Sequence, residues 1–195
     1  LISLGRLCEG ESAVHIGTGP GYYTAIIARM VGKSGRVTAI EYEEELAIRA
    51  AANLSAFPQV RVLHGDGFTM GLEPSDAIYV NAGAARPAAS WLDAMKDGGR
   101  MILPLTVGYT TDDGHSMTKG AIFLIERKGE DYYAGWKTDT QIYPCIGARD
   151  EQSEAALANA FKIGGWDKVT RLYRTDEISD ERCWVRGSGW SLAYS

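Results

Sequence analysis

Ala13-Val14-His15-Ile16-Gly17-Thr18-Gly19-Pro20-Gly21-Tyr22 is the stretch whose reading decides the fold. Val14 and Ile16 favour a buried strand, and glycines then stand at alternate positions. From Tyr22 to Val31 the pattern turns helical, with Ile26, Ile27, Met30 and Val31 on one side. Glycines in such a turn permit positive φ and let the backbone approach a ligand closely. The helix that follows offers free N–H groups and a partial positive charge. A strand, glycine turn and helix in this order make a nucleotide-binding edge. Tyr22 occupies the place where the dinucleotide fingerprint needs its third glycine or alanine, which argues against a nicotinamide enzyme.

Such a turn calls for a ribose-binding acid about 20 residues later, at the end of the next strand. Arg36-Val37-Thr38-Ala39-Ile40-Glu41 supplies it: Glu41 ends a β-prone run and can accept hydrogen bonds from both hydroxyls of a ribose. A plainer alternative is that Glu41 merely opens an acidic helix start with Glu43, Glu44 and Glu45.

Outward from this unit the same alternation continues. Residues 43–57 predict a helix with Leu46, Ala50, Leu54 and Phe57 on one face, stopped by Pro58. Val60–His64 reads as a third strand closed by Gly65-Asp66-Gly67, and Asp76–Val80 as a fourth running into Asn81-Ala82-Gly83-Ala84-Ala85. A short helix with Trp91, Leu92 and Met95 follows Pro87. Asp97-Gly98-Gly99 is a turn, and Arg100–Leu105 a fifth strand. Strands alternating with helices across short glycine turns predict an α/β fold, a doubly wound and mostly parallel Rossmann-like sheet covered on both faces. Residues 1–10 read as a helix remnant ended by Gly10, and 109–120 as a loop able to act as a lid. Ala121–Arg127 and Tyr132–Thr138 form an antiparallel hairpin at the sheet edge. Beyond it come a helix after Asp150, with Leu157, Ala160 and Phe161 on one face, and two strand-like pieces near 169–173 and 183–192. No linker sets this tail apart. One domain over 1–195 is expected, with a core at 1–143 and a small α+β carboxyl-terminal extension at 144–195 packed on it, partly through Trp136, Trp166, Trp184 and Trp190.

With 195 residues, 45% of them hydrophobic, the chain can bury one substantial core. A formal charge of −5 gives no general attraction to nucleic acid or anionic membranes, and no apolar run reaches the length of a span. Cys8, Cys145 and Cys183 are odd in number and far apart, which fits thiols in a reducing, cytoplasmic compartment. His15, His64 and His115 have no metal spacing, and no nucleophile elbow or phosphate loop with its lysine is present. Leu1 is not a methionine, so a fragment, a processed chain or a trimmed one is expected.

Taken in order and spacing, Gly17–Tyr22, Arg36–Glu41, Gly65-Asp66-Gly67, Asp76-Ala77-Ile78 and Asp97–Leu105 resemble the class I S-adenosylmethionine-dependent methyltransferases. Within them the chain is most similar to the protein-L-isoaspartate O-methyltransferase family, over residues 1–128; the likeness thins through the hairpin and fails from about Pro144. The resemblance implies the class I methyltransferase fold and S-adenosyl-L-methionine as cofactor. It places Gly17, Thr18, Gly19, Gly21, Tyr22, Glu41, Tyr42, Asp66, Gly67 and Asn81 around that cofactor, with Asp66 and Gly67 beside the adenine. Asp66 as a plain turn residue, and Asn81 as a satisfier of loop backbone, are the alternatives. Asn81, Ala82 and Arg86 are the candidates for the acceptor side, Arg86 as a clamp on a carboxylate or simply as a solvated loop arginine.

Three departures stand out. The family usually carries an acid where this chain has His15, either a weaker holder of the cofactor's cationic end or a core histidine satisfied by backbone. A Thr-Ile-Ser-type acceptor segment is missing ahead of the glycine turn, since Ile2-Ser3 lies too close to Gly17. The alanine-rich run after the fourth strand is here Asn81-Ala82-Gly83-Ala84-Ala85-Arg86-Pro87.

The expectation is direct in-line methyl transfer to a carboxylate of an isoaspartyl residue in a peptide or protein, a repair step. Such an acceptor is already ionised at neutral pH and needs no general base, so no catalytic residue is assigned. A methyltransferase acting on another small-molecule or peptide acceptor, and an inactive cofactor-binding relative, are the alternatives. The oligomeric state has no signature in the sequence.

Overall fold

The computed structural model describes residues 2–195, and the chain forms two compact units. The first comprises the chain through Asn81 together with Ala88–Met101; the second comprises Ala82–Pro87 with Ile102–Ser195. The units part inside a strand and around the 82–87 run.

In the first unit, β1 (Ser12–Ile16) lies between β2 (Arg36–Glu41) and β4 (Ser75–Val80), and β3 (Val60–His64) pairs with the far side of β2. All three pairings are parallel. The order β3-β2-β1-β4 continues into β5 (Met95–Thr110), whose first seven residues belong to this unit. β1 is buried along its whole length, so its two polar side chains are hydrogen-bonded: Ser12 Oγ donates to Asp76 at 2.7 Å, and His15 Nδ1 meets Thr24 Oγ1 at 2.8 Å. The first helix, α1 (Tyr22–Val31), has the predicted bounds but turns slightly: Thr24, Ile27, Ala28 and Val31 are its buried stripe, with Ile26 and Met30 only half-buried. On α2 (Glu44–Asn53) the stripe is Ala47 and Ala50, extended by Leu54 just past the helix end. Small residues there let the helix lie close to β2 and β3. The short α3 (Ala89–Ala94) buries Trp91 completely. At the amino terminus the expected helix remnant is a single 3-10 turn, Ile2–Gly5; Leu1 lies outside the described residues.

The second unit departs more from expectation. Residues 109–120 are not a lid loop. β5 runs through to Thr110, a tight turn follows, and β6 begins at Ser116 and extends to Lys128. The turn is closed by Thr111 N–H on the His115 carbonyl at 2.9 Å and by Gly114 N–H on the Thr111 carbonyl at 2.9 Å. β6 pairs antiparallel with β7 (Asp131–Ile142), as the hairpin reading required. That hairpin is not the sheet edge, however. β8 (Arg171–Tyr173) pairs with β7, and β10 (Trp190–Ala193) and β9 (Cys183–Gly187) follow in the order β7-β8-β10-β9. The tail therefore extends the sheet by three short antiparallel strands. The sheet as a whole has a parallel core and antiparallel strands. Its helix α4 (Glu151–Ile163) starts at Asp150, whose carboxylate accepts Ser153 N–H at 2.8 Å, an N-cap. Trp184 packs against Phe123 of β6 and Phe161 of α4, with ring centroids 5.7 and 5.3 Å apart, as expected of the tail tryptophans; Trp136 is exposed instead.

Candidate functional site

Because β1 to β4 are parallel, their carboxyl ends lie on one edge of the first unit. In spatial order that edge carries Asp66 after β3, Glu41 at the end of β2, Gly17–Gly21 after β1 and Asn81 after β4. Three interstrand spacings put it at about 14 Å long. Ligands of open α/β sheets bind along this edge.

The glycine turn has left-handed backbone at Gly17 (φ 77°), Gly19 (φ 56°) and Gly21 (φ 97°). It is pinned to β2 by the N–H groups of Gly17 and Thr18, both on the Ile40 carbonyl at 2.9 and 3.2 Å. A side chain built on Gly19 would meet nothing within 4 Å, so the hollow there is open. Glu41 faces it. One carboxylate oxygen of Glu41, Oε2, accepts the Gly19 N–H at 2.6 Å, and Oε1 accepts the Glu43 N–H at 3.1 Å. Each oxygen keeps a second lone pair for a ligand hydroxyl. The side chain is 6% exposed, so Glu41 is a built-in carboxylate of the edge and not a solvated first-turn acid.

Asp66 folds back on its own turn: Oδ1 accepts Phe68 N–H at 2.9 Å and Oδ2 accepts the Thr69 hydroxyl at 3.1 Å. The turn is locked from beneath by Trp91, whose indole N–H donates to the Gly67 carbonyl at 2.7 Å. Asn81 donates through Nδ2 to the Gly17 carbonyl at 3.2 Å and through its backbone N–H to Ile16 at 2.8 Å, tying the end of β4 to the glycine turn. Thr18 is buried against backbone carbonyls, whereas Tyr22 and Tyr42 are exposed. The Tyr42 carbonyl is held by His64 Nε2 at 3.0 Å.

His15 is fully buried beneath the turn. Its Nδ1 meets the Thr24 hydroxyl at 2.8 Å, so the buried-core alternative is satisfied by a side chain instead of backbone. Nε2 has no partner among the described residues. Burial pushes the imidazole pKa down to about 3, so His15 is neutral at any physiological pH and brings no charge of either sign to the edge.

Ala82 and Arg86 belong to the second unit. Arg86 is not a solvated loop arginine: its Nε pairs with Asp150 Oδ2 at 2.9 Å. Trp91, Thr24 and Arg149, which hold these segments in place, were not singled out by the sequence. Each acts over a long chain separation or through one turn of helix, and neither leaves a motif. Among the described residues no cluster of His, Cys, Asp and Glu could hold a metal ion, and no helix is long and apolar enough to cross a membrane.

The family model described as Protein-L-isoaspartate(D-aspartate) O-methyltransferase (PCMT) matches residues 1–132. Protein-L-isoaspartate O-methyltransferase 2 of Archaeoglobus fulgidus is 44% identical over 104 residues, covering 51% of this chain and 47% of that protein. The Pyrobaculum arsenaticum protein-L-isoaspartate O-methyltransferase is 40% identical over 127 residues, covering 62% of this chain and 57% of that protein. The chain thus spans about half the length of the curated relatives it matches. Among solved structures, a protein-L-isoaspartate O-methyltransferase superposes on 100% of this chain and 67% of its own with a TM-score of 0.64 at 19% identity. A Plasmodium falciparum protein of that description, in complex with S-adenosyl-L-homocysteine, gives a TM-score of 0.60 at 19% identity over 73% of this chain and 68% of its own. These two establish likeness of fold.

Proposed function

Because the chain belongs to the protein-L-isoaspartate(D-aspartate) O-methyltransferase family, we propose that it transfers a methyl group from S-adenosylmethionine to the carboxylate of an isoaspartyl residue in a peptide or protein. The fold in this reading is the doubly wound class I methyltransferase sheet. The observation that carries it is the carboxylate of Glu41 held across the open Gly19 hollow by the Gly19 N–H at 2.6 Å.

The residues divide the work along the edge. Glu41 accepts the ribose hydroxyls with the lone pairs its two backbone contacts leave unused. The Gly17–Gly21 backbone lies against the methionine part, flanked by Thr18 and by the exposed ring of Tyr22. The Gly65–Phe68 turn, with Asp66 and Gly67, borders the adenine, and the exposed Tyr42 lies next to Glu41 in the chain. Asn81 stands at the end of β4, where donor and acceptor meet. Bound S-adenosylmethionine supplies a methyl group on a sulfonium, an electrophile needing no metal or base. The acceptor carboxylate is ionised at neutral pH, so the protein's contribution is alignment and exclusion of water. His15, neutral and buried, adds no charge to help hold the cofactor's ammonium group. The thiols of Cys8, Cys145 and Cys183 suit a cytoplasmic setting.

A second acceptor class is favoured by one observation. The family match ends at residue 132, and most of β7, α4 and the strands β8 to β10 lie beyond it. A small-molecule or unrelated peptide acid is then the acceptor. The test is methyl transfer from labelled S-adenosylmethionine to matched isoaspartyl and aspartyl peptides. Label on the isoaspartyl peptide alone is the expected result. Label on neither, with S-adenosylhomocysteine still bound in calorimetry, would overturn the isoaspartyl reading and leave the second.

A further inference from the structure

We propose that Arg149 and Asp150, at the start of α4, are positioning residues for the acceptor side, gripping the Ala82–Arg86 run at both ends. The proposal rests on the isoaspartyl reading, which makes that run part of the acceptor site. It assigns a role to residues beyond the end of the family match at 132.

The run is threaded through the second unit rather than draped on it. Gly83 N–H donates to the Tyr143 carbonyl at 2.8 Å, Ala84 N–H to Pro104 at 3.0 Å and Ala85 N–H to Ala148 at 2.9 Å. In return the Ala84 carbonyl accepts Thr106 N–H at 2.8 Å. Gly83 sits so close to its neighbours that a Cβ would collide with the hydroxyls of Thr118 and Thr106. Only glycine lets the backbone pass there.

Arg149 fixes that crossing point. Its Nη1 donates to the Gly83 carbonyl at 2.6 Å and to Thr106 Oγ1 at 3.1 Å, while Nη2 donates to the Thr106 carbonyl at 3.1 Å and pairs with Glu154. The Gly83 carbonyl accepts Cys145 N–H as well, at 2.9 Å, so both its lone pairs are used. One planar guanidinium therefore joins the run, β5 and α4. A lysine, a point donor, could not span all three. The next residue takes the other end: Asp150 Oδ2 forms an ion pair with Arg86 Nε at 2.9 Å, while Oδ1 caps α4. Two adjacent residues so set the run's position at Gly83 and Arg86. Misplacing a substrate-bearing segment by about an ångström costs on the order of a hundredfold in rate.

The experiment compares wild type, Arg149→Met, Arg149→Lys and Asp150→Asn. Three readouts are needed: S-adenosylhomocysteine affinity, KM and kcat for an isoaspartyl peptide, and amide hydrogen exchange at Gly83, Ala84 and Ala85. In Arg149→Met the three amides should exchange faster and kcat/KM should fall by about ten- to a hundredfold. S-adenosylhomocysteine affinity should stay within about twofold, and Arg149→Lys should fall between wild type and Met. Asp150→Asn keeps a capping side chain, so it tests the clamp through Arg86 should Arg149→Met fail to fold; its KM should rise severalfold. Unchanged exchange, unchanged kcat/KM in a folded variant, or an equal loss of S-adenosylhomocysteine binding would each overturn the positioning role. Absence of wild-type activity on the peptide would instead overturn the isoaspartyl reading itself.

Discussion

His15 Nδ1 and Thr24 Oγ1 lie 2.8 Å apart with no solvent on the imidazole, joining β1 to α1 beneath the glycine turn. Burial holds the folded-state pKa at about 3, below the ordinary value of 6.5. Below pH 6.5 the unfolded chain takes up a proton that the native protein refuses, so the native state loses ground as pH falls. The slope from this one group approaches about 1.4 kcal/mol per pH unit between those limits. Urea midpoints measured from pH 7 to pH 4 should therefore fall more steeply for wild type than for His15→Leu. Parallel curves would mean that the imidazole is protonated or solvated in the native protein.

Glu41 satisfies two backbone donors at once, Gly19 N–H at 2.6 Å and Glu43 N–H at 3.1 Å. Glu41→Ala leaves both without that acceptor and frees the turn, at a cost of about 1–3 kcal/mol in stability. If the same carboxylate holds a ribose, S-adenosylhomocysteine affinity should drop by about ten- to a hundredfold. Glu41→Gln keeps an acceptor oxygen and should lose less of both. Calorimetry reads the affinity and chemical denaturation the stability. A stability loss with unaltered affinity would make Glu41 a turn-holding residue only.

Gly19 separates backbone strain from steric blocking. At φ 56° an alanine pays about 1–2 kcal/mol for left-handed backbone, yet its methyl group would touch nothing within 4 Å. Gly19→Ala should stay folded, with a modest drop in melting temperature. The added methyl projects into the open hollow, so S-adenosylhomocysteine binding should weaken by about tenfold or more, the loss of roughly one well-made contact. Wild-type affinity in the folded variant would show that the ligand does not pack there.

The strands and helix that build this edge were legible because several local signals coincided. α1, β2 and β3 have the predicted bounds, each closed by glycine, proline or an acid at a place that only a turn explains. Glu41 and the glycine turn were found by spacing, and Asn81 by its strand end. What escaped was contact at long range. β8, β9 and β10 are three to five residues each, too short for periodicity to place them beside β7. The end of β5 and start of β6 read as loop because their alternate residues are exposed and polar around a real turn at Asp112–Gly114. Arg149 gave no signal, and Trp91 only that of a helix residue, since a backbone carbonyl has no sequence counterpart to pair with either.

Arg100 is the last case of this kind. It follows Asp97-Gly98-Gly99, which continues β5 where a turn was expected, and it is 7% exposed and holds the amino-terminal turn to the sheet. Its guanidinium donates to the carbonyls of Gly5, Arg6 and Asp76 and pairs with both carboxylate oxygens of Glu11. That hydrogen-bonded pair holds the Glu11 carboxyl below its ordinary range against the opposing effect of burial. Arg100→Met leaves three carbonyls and a carboxylate without their donor, and should cost about 3–5 kcal/mol at pH 7. Because Glu11 titrates lower in the folded protein than in the unfolded one, its contribution is present above the unfolded pKa and fades as pH falls through the folded one. The stability gap between wild type and Arg100→Met should therefore narrow on acidification below about pH 4.5. Denaturation midpoints at pH 7 and pH 3.5 check this; a gap that stays constant would leave the loss to the carbonyl contacts alone.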